Sequence, residues 1–235
     1  MSFTKMMWYF GIQKRKMENI VDEAIKACSD LRELRCADRL DNSFSTTYSV
    51  NDISGNYTST ITGGDALAFA SAVHTREDGG ATWSSRLTDG STVNLPLDYA
   101  GLKAAHRTAA LQVGPTGKPL NIMLDTIVVS RGYSAHNRAM EILGALNRNQ
   151  IPGSADNDSG AVPTYKIIPT PFVTTNTGYW WMFDSSMKNS RYGFQFKESQ
   201  PIKLEGPHVV FRTGEIQYKA TTIFDLGFND ARGWV

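Results

Sequence analysis

A mixed α+β fold is predicted for this 235-residue chain, and three observations predict it. Residues 13 to 42 contain no Gly or Pro and carry apolar residues at spacings of three and four, which reads as one long helix. The middle of the chain alternates helical patterns with an apolar, β-branched run, as helices packed on a sheet do. The C-terminal third is a succession of strand-like segments rich in aromatic and β-branched residues.

Taken in order, the first helix places Ile20, Ala24, Ala27, Cys28, Leu31 and Leu34 on one stripe, continued by Ala37 and Leu40. That stripe is expected to lie against a sheet. At 1.5 Å per residue the helix is on the order of 40 Å long, the proportion of a strut. Glu18, Asp22, Lys26, Asp30 and Glu33 form its charged face, which reads as solvated or subunit-facing; Glu18, Lys26 and Glu33 are candidate subunit-interface residues.

Residues 42 to 64 turn to Ser, Thr, Asn, Gly and Tyr, the chemistry of strands and loops. "DALAFASAVH" is a short apolar segment, followed by a long polar loop, "TREDGGATWSSRLTDGSTVN". A second helix is predicted from near Pro96, with Asp98 in its first turn, to Gly114. "GPTGKP" makes a turn, "LNIMLDTIVVS" a buried strand, and Ser134 to Asn147 a third helix. "NRNQIPGSADNDSGAVPT" is a loop of a length uncommon without a function. "YKIIPTPFV", "GYWWMFDSS" and "YGFQFKESQPIKLE" read as strands, and "EIQYKATTIFDLGFNDARGWV" as a long closing strand.

Lys+Arg 24 against Asp+Glu 23 gives a net charge of +1, without the basic excess by which nucleic-acid readers release counterions. Contact with nucleic acid is therefore expected to be weak, or spread over many copies. Cys28 and Cys36 lie eight residues apart on one helix, too far along the axis for a disulfide, and read as small buried groups in a reducing compartment. The apolar run from Met6 to Ile12 is followed by Lys14, Arg15 and Lys16, the reverse of a signal peptide, and is too short for a bilayer. A cytoplasmic origin and no membrane association are expected.

"RGYSAH", residues 131 to 136, sits between the apolar strand and the third helix and raises the question of a nucleophile elbow. That motif needs Gly two residues after the serine, where this chain has His136, and only His208 lies further downstream. Ser134 reads instead as a helix N-cap. "GPTGK" has two residues between its glycines where a phosphate loop has four. His74, His106, His136 and His208 show no metal-type pairing; His74 with Glu77 and Asp78 is the best local cluster but lacks a second ligand element. Tyr179, Trp180, Trp181 and Phe183 lack interleaved basic residues and read as a strand buried on both faces. No catalytic residue, no cofactor and no metal is assigned.

The order of these segments resembles that of Mu-type phage major head subunits. The resemblance runs through the long charged helix, "TGGDALAFASAVHT", "LDYAGLKAAHRTAALQ", "GKPLNIMLDTIVVSRGYSAHNRAMEIL", "NTGYWWMFDSS" and "GFQFKESQP" with "IQYKATTIFDLGFNDARGWV". It implies a Hong Kong 97-type capsid fold with a long spine helix, a peripheral sheet and an axial α/β domain. Residues 1–95 would be the peripheral domain, 96–205 the axial domain, and 206–235 the strand returning to the periphery. That fold carries an N-terminal arm and an extended loop before the spine helix, where this sequence has about a dozen residues.

The resemblance implies a non-enzymatic major capsid protein of a tailed double-stranded DNA phage, assembled in the host cytoplasm into an icosahedral virion head. Its partners would be its own copies in hexamers and pentamers, portal, scaffold or decoration proteins, and packaged double-stranded DNA through weak contacts. It also sets the Gly- and Asp-rich loop near a symmetry axis, which makes Asn149, Asp156 and Asp158 candidate subunit-interface residues. The alternatives are an encapsulin-type nanocompartment shell and, from another class, a serine hydrolase using Ser134.

Overall fold

The computed structural model describes residues 2–4, 14–52, 55–87, 95–147, 165–189 and 192–235. It is an α+β protein, 26% helical and 32% strand, so neither class of element dominates. The chain divides into two compact units, Met1–Cys36 with Phe196–Leu226, and Ala37–Gln195 with Gly227–Val235. The sequence boundaries at 95 and 205 fall elsewhere.

The first unit joins β1 (Ser2–Thr4) and most of α1 (Lys14–Asp41) to two long strands, β7 (Phe194–Val209) and β8 (Glu215–Phe228). The sheet order is β1-β8-β7, with β1 antiparallel to β8 and Ser2 opposite Gln217. Gly214, at positive φ, closes the β7–β8 turn by donating its N–H to the Val210 carbonyl at 2.8 Å. Arg32 anchors helix to sheet: its Nε and Nη2 donate to Thr222 Oγ1 at 3.2 and 2.6 Å, and Nη2 also pairs with Glu198. Phe196 and Phe224 stack beside it at 5.6 Å.

The packed line of α1 differs from the predicted stripe. Of the predicted stripe, Ala24, Cys28, Ala37 and Leu40 are partly or fully buried, as are Val21, Arg32, Arg35 and Cys36 beside it, whereas Ala27 is exposed and Leu31 and Leu34 are 40% and 37% exposed. Ile20 has no described side chain. The inward line includes an arginine because the sheet offers it an acid and a hydroxyl.

The second unit holds the core. A β2–β3 hairpin (Thr47–Asp52, Gly55–Thr60) pairs in register from Thr47 opposite Thr60. Helix α2 (Tyr99–Ala110) begins one turn later than predicted. Asp98 is its N-cap and not a first-turn residue, because its carboxylate accepts the Gly101 N–H at 2.7 Å. Of the run 120–130 only β4 (Thr126–Ser130) is strand, and all five residues are buried. Helix α3 (Ser134–Asn147) links β4 to β5 (Lys166–Thr170), which is parallel to β4, while β6 (Trp180–Phe183) is antiparallel on its other side.

Alternation along these strands explains why both faces are apolar. Ile127, Val129, Trp180 and Met182 pack with Leu102, Ala105, Ala109, Ala135 and Ala139 of the helices. Val128 and Trp181 point the other way, to Ala37, Leu40 and Val173. The closing residues, predicted to return with the C-terminal strand, split at Leu226. Residues 227–235 extend the β6 edge, where Met182 and Val235 exchange backbone bonds at 2.8 and 2.9 Å. Trp234 fixes this tail by stacking on Phe183 at 4.5 Å.

Candidate functional site

The loops after β3 build a polar cluster in the second unit. "TGGDALAFASAVH" takes no regular structure, yet it is stapled by backbone bonds between His74 and Trp83 at 2.8 and 3.1 Å. The His74 ring stacks on Trp83 at 4.3 Å. Its Nδ1 lies 2.7 Å from Asp65 Oδ2, and its Nε2 lies 2.9 Å from Ser85 Oγ and 3.2 Å from the Phe69 carbonyl. These are the distances of a Ser-His-Asp triad. The acid partner is Asp65, nine residues upstream, and not the predicted neighbours Glu77 or Asp78. Asp78 is held by Arg76 and the Gly80 N–H.

The surroundings make this cluster a knot and not a nucleophile. Ser85 is 4% exposed; its hydroxyl reaches the Phe69 carbonyl at 2.8 Å and accepts the Ser71 N–H at 3.0 Å. Its own N–H goes to the Ser71 carbonyl at 2.9 Å, so it cannot serve an oxyanion. The His74 ring thus bridges Asp65 on one nitrogen and Ser85 with the Phe69 carbonyl on the other. Asp65 and His74 line a polar cleft of about 270 Å³ with Arg76, Asp230 and Arg232, while Ser85 lines an apolar cleft of about 290 Å³ with Phe69, Trp180 and Trp234.

Arg76 also accounts for the "GPTGK" turn. Gly117 there has φ +79°, and a Cβ on it would collide with the Arg76 guanidinium. The turn is a seat for an arginine.

Ser134 is exposed at the first residue of α3, one position inside the helix and not its N-cap. His136 Nδ1 accepts the Gly132 N–H at 3.3 Å, and no hydrogen bond joins it to Ser134 among the described residues. Tyr179 is exposed, whereas Trp180, Trp181 and Met182 are buried. Among the described residues no group of His, Cys, Asp and Glu could hold a metal ion, and no helix is long and apolar enough to cross a membrane. Cys28 and Cys36 are free thiols; burial, with Glu33 nearby, pushes the Cys36 thiol up.

Of the candidate interface residues, Lys26 and Glu33 are exposed on α1 in the first unit. Glu18 lies on the same helix, without a described side chain, and Asn149, Asp156 and Asp158 fall outside the described residues. The surface around Lys26 and Glu33 is the more unusual finding. Among the described side chains of the first unit, Leu226 alone is a buried apolar residue. Ile25, Leu31, Leu34, Phe196, Phe211 and Ile223 are large apolar residues left exposed there. Sequence reading missed this surface because β7 alternates as a buried strand does, although after Phe194 only Gln200 and Ile202 of its fifteen remaining residues are even partly covered. No family model, no curated protein and no solved structure matches this chain.

Proposed function

We propose that this chain is a shell protein, the major capsid protein of a tailed double-stranded DNA phage or prophage, with the Hong Kong 97-type fold. One observation carries the proposal: a helix-and-sheet unit with a single buried apolar side chain among those described and large apolar residues exposed on both of its elements. Burial contributes roughly 25 cal/mol per Å² of apolar surface, while ordering each residue costs about 1–2 kcal/mol, so such a unit is marginal until another surface covers it. Copies of the same chain are the simplest cover. In closed symmetry each copy gives and receives the same modest contacts, and their number supplies the stability. α1, about 42 Å long at 1.5 Å per residue, is the spine of the peripheral domain, and the unit containing β4–β6 is the axial domain.

On this reading the chain works through surfaces, forms hexamers and pentamers in the virion, touches DNA only weakly, and uses no cofactor. The Asp65–His74–Ser85 knot is scaffold. The test is negative-stain microscopy of the purified chain, with analysis of what the particles contain. Shells enclosing DNA in the source material support the capsid reading. Shells holding a protein cargo would replace it with a nanocompartment. A chain that stays monomeric, with esterase turnover lost on Ser134→Ala, would overturn it for the hydrolase.

A further inference from the structure

The two edges of the β5-β4-β6 sheet end differently. On the β6 side the chain adds its own tail. Met182 and Val235 exchange backbone bonds at 2.8 and 2.9 Å, and the Asp184 N–H donates to the Gly233 carbonyl at 3.0 Å. This sheet therefore takes up an added segment where its edge offers both donors and acceptors. β5 is the opposite edge, and among the described strands none pairs with its outer side.

The register of β5 on β4 decides which of its backbone groups face that open side. Thr126 lies opposite Lys166 and Ser130 opposite Thr170, in parallel. The Lys166 N–H donates to the Asp125 carbonyl at 2.8 Å, and the Thr170 carbonyl accepts the Arg131 N–H at 2.8 Å. Backbone groups alternate sides along a strand, so Lys166, Ile168 and Thr170 face β4 while Ile167 and Pro169 face outward. Pro171 follows at the same spacing, one residue past the strand. Proline has no N–H. Every donor that β4 requires is thus present, and the outer side of β5 keeps a single donor, that of Ile167. The rest of "YKIIPTPFV" has the aromatic and β-branched content of a pairing strand. Lys166, Ile168 and Pro169 are exposed, so the edge is accessible in this chain.

We infer that Pro169, extended by Pro171, is a guard that stops strand addition at β5, including edge-to-edge pairing between two copies of this chain. An open edge of apolar, β-branched residues is a template for another strand, and an outward proline removes the donor such a strand would need. The prolines sit only where the sheet's own ladder does not use the N–H. The guard goes beyond the shell reading and does not depend on it. For a chain that meets many copies of itself, it leaves side-chain surfaces as the route of contact at this end of the sheet.

The test restores the missing donors in the full chain, with Pro169→Val and Pro171→Val together. Sedimentation velocity reads the species formed, hydrogen exchange is resolved to single residues, and far-ultraviolet circular dichroism checks folding. In wild type the Ile167 amide is expected to exchange about tenfold or more faster than that of Ile168, whose N–H faces β4. The double variant is expected to form larger species absent from wild type, and in them the Ile167 amide becomes protected. A folded double variant with the wild-type distribution of species would overturn the guard. Larger species in which Ile167 still exchanges rapidly would overturn it too, because association would then run through another surface. If the double variant loses its native spectrum, Pro169→Val alone is measured by the same two readings. The wild-type comparison decides even if neither variant folds: an Ile167 amide as protected as that of Ile168 means the edge is already paired, and the guard is overturned.

Discussion

His74 shows how one side chain can order a segment that has no regular structure. It is 2% exposed and joins Asp65, Phe69, Trp83 and Ser85, which are spread over some twenty residues of the chain. His74→Leu removes the ring's bonds to Asp65, Ser85 and Phe69 and leaves the Asp65 carboxylate with the Leu67 N–H. A loss of about 3 kcal/mol is expected in urea denaturation. Ser134→Ala, on an exposed helix start, is expected to change stability by less than about 0.5 kcal/mol. Equal losses would contradict the assignment of one serine region as knot and the other as corner. A second pair sets the pH range of the same unit. Burial holds His106 below its ordinary value of 6.5, and burial with Tyr99 nearby pushes Tyr165 up to about 12. The Tyr165 hydroxyl lies 2.5 Å from His106 Nε2, within hydrogen-bond distance. Below 6.5 the unfolded chain binds a proton that the folded one resists, so stability falls with pH from there toward the lower folded value. Above 10 the unfolded tyrosine ionises first, so stability falls again between 10 and about 12. The midpoint of thermal unfolding should therefore form a plateau from about pH 7 to 10, and His106→Asn should flatten its acid side.

At the scale of elements, periodicity made several features legible and misled on two, the covered line of α1 and the exposed β7. The long helix, the both-faces-buried β4 and the "GPTGK" turn follow from spacing and composition alone, because each is set by its own residues. The inward line of α1 is not. The predicted stripe Ile20-Ala24-Ala27-Cys28-Leu31-Leu34 and the covered line Val21-Ala24-Cys28-Arg32-Arg35 overlap on one helix, and hydropathy favours the first. Glu198 and Thr222, more than 160 positions away, select the second by bonding Arg32. The Asp65–His74 pairing was hidden for a similar reason, since no repeat links two residues of an irregular loop. Ser134 and Asp98 each differ at a helix start: Ser134 is the first helical residue, and Asp98 caps its helix through the Gly101 N–H. The shift on α1 changes what a substitution does. Leu31→Asp should leave the monomer folded, with its circular dichroism unchanged, and lower the yield of particles. A monomer unfolded by that change would restore the buried stripe.

For the molecule as a whole, stability and function are distributed unequally. The second unit contains the three apolar clusters, and the first contains one buried apolar side chain among those described. A unit of that kind has low local stability by itself and gains it from whatever covers it. On the proposed shell function, self-assembly would also complete the fold, and near-neutral net charge would permit many copies to approach. Hydrogen exchange measured on monomer and on assembled particles tests this most directly. Amides of β7 and β8 between Lys197 and Lys219 should exchange rapidly in the monomer and become protected on assembly, while those of Thr126–Ser130 stay protected in both. A hairpin as protected as β4 in the monomer, or one whose exchange assembly leaves unchanged, would contradict the account.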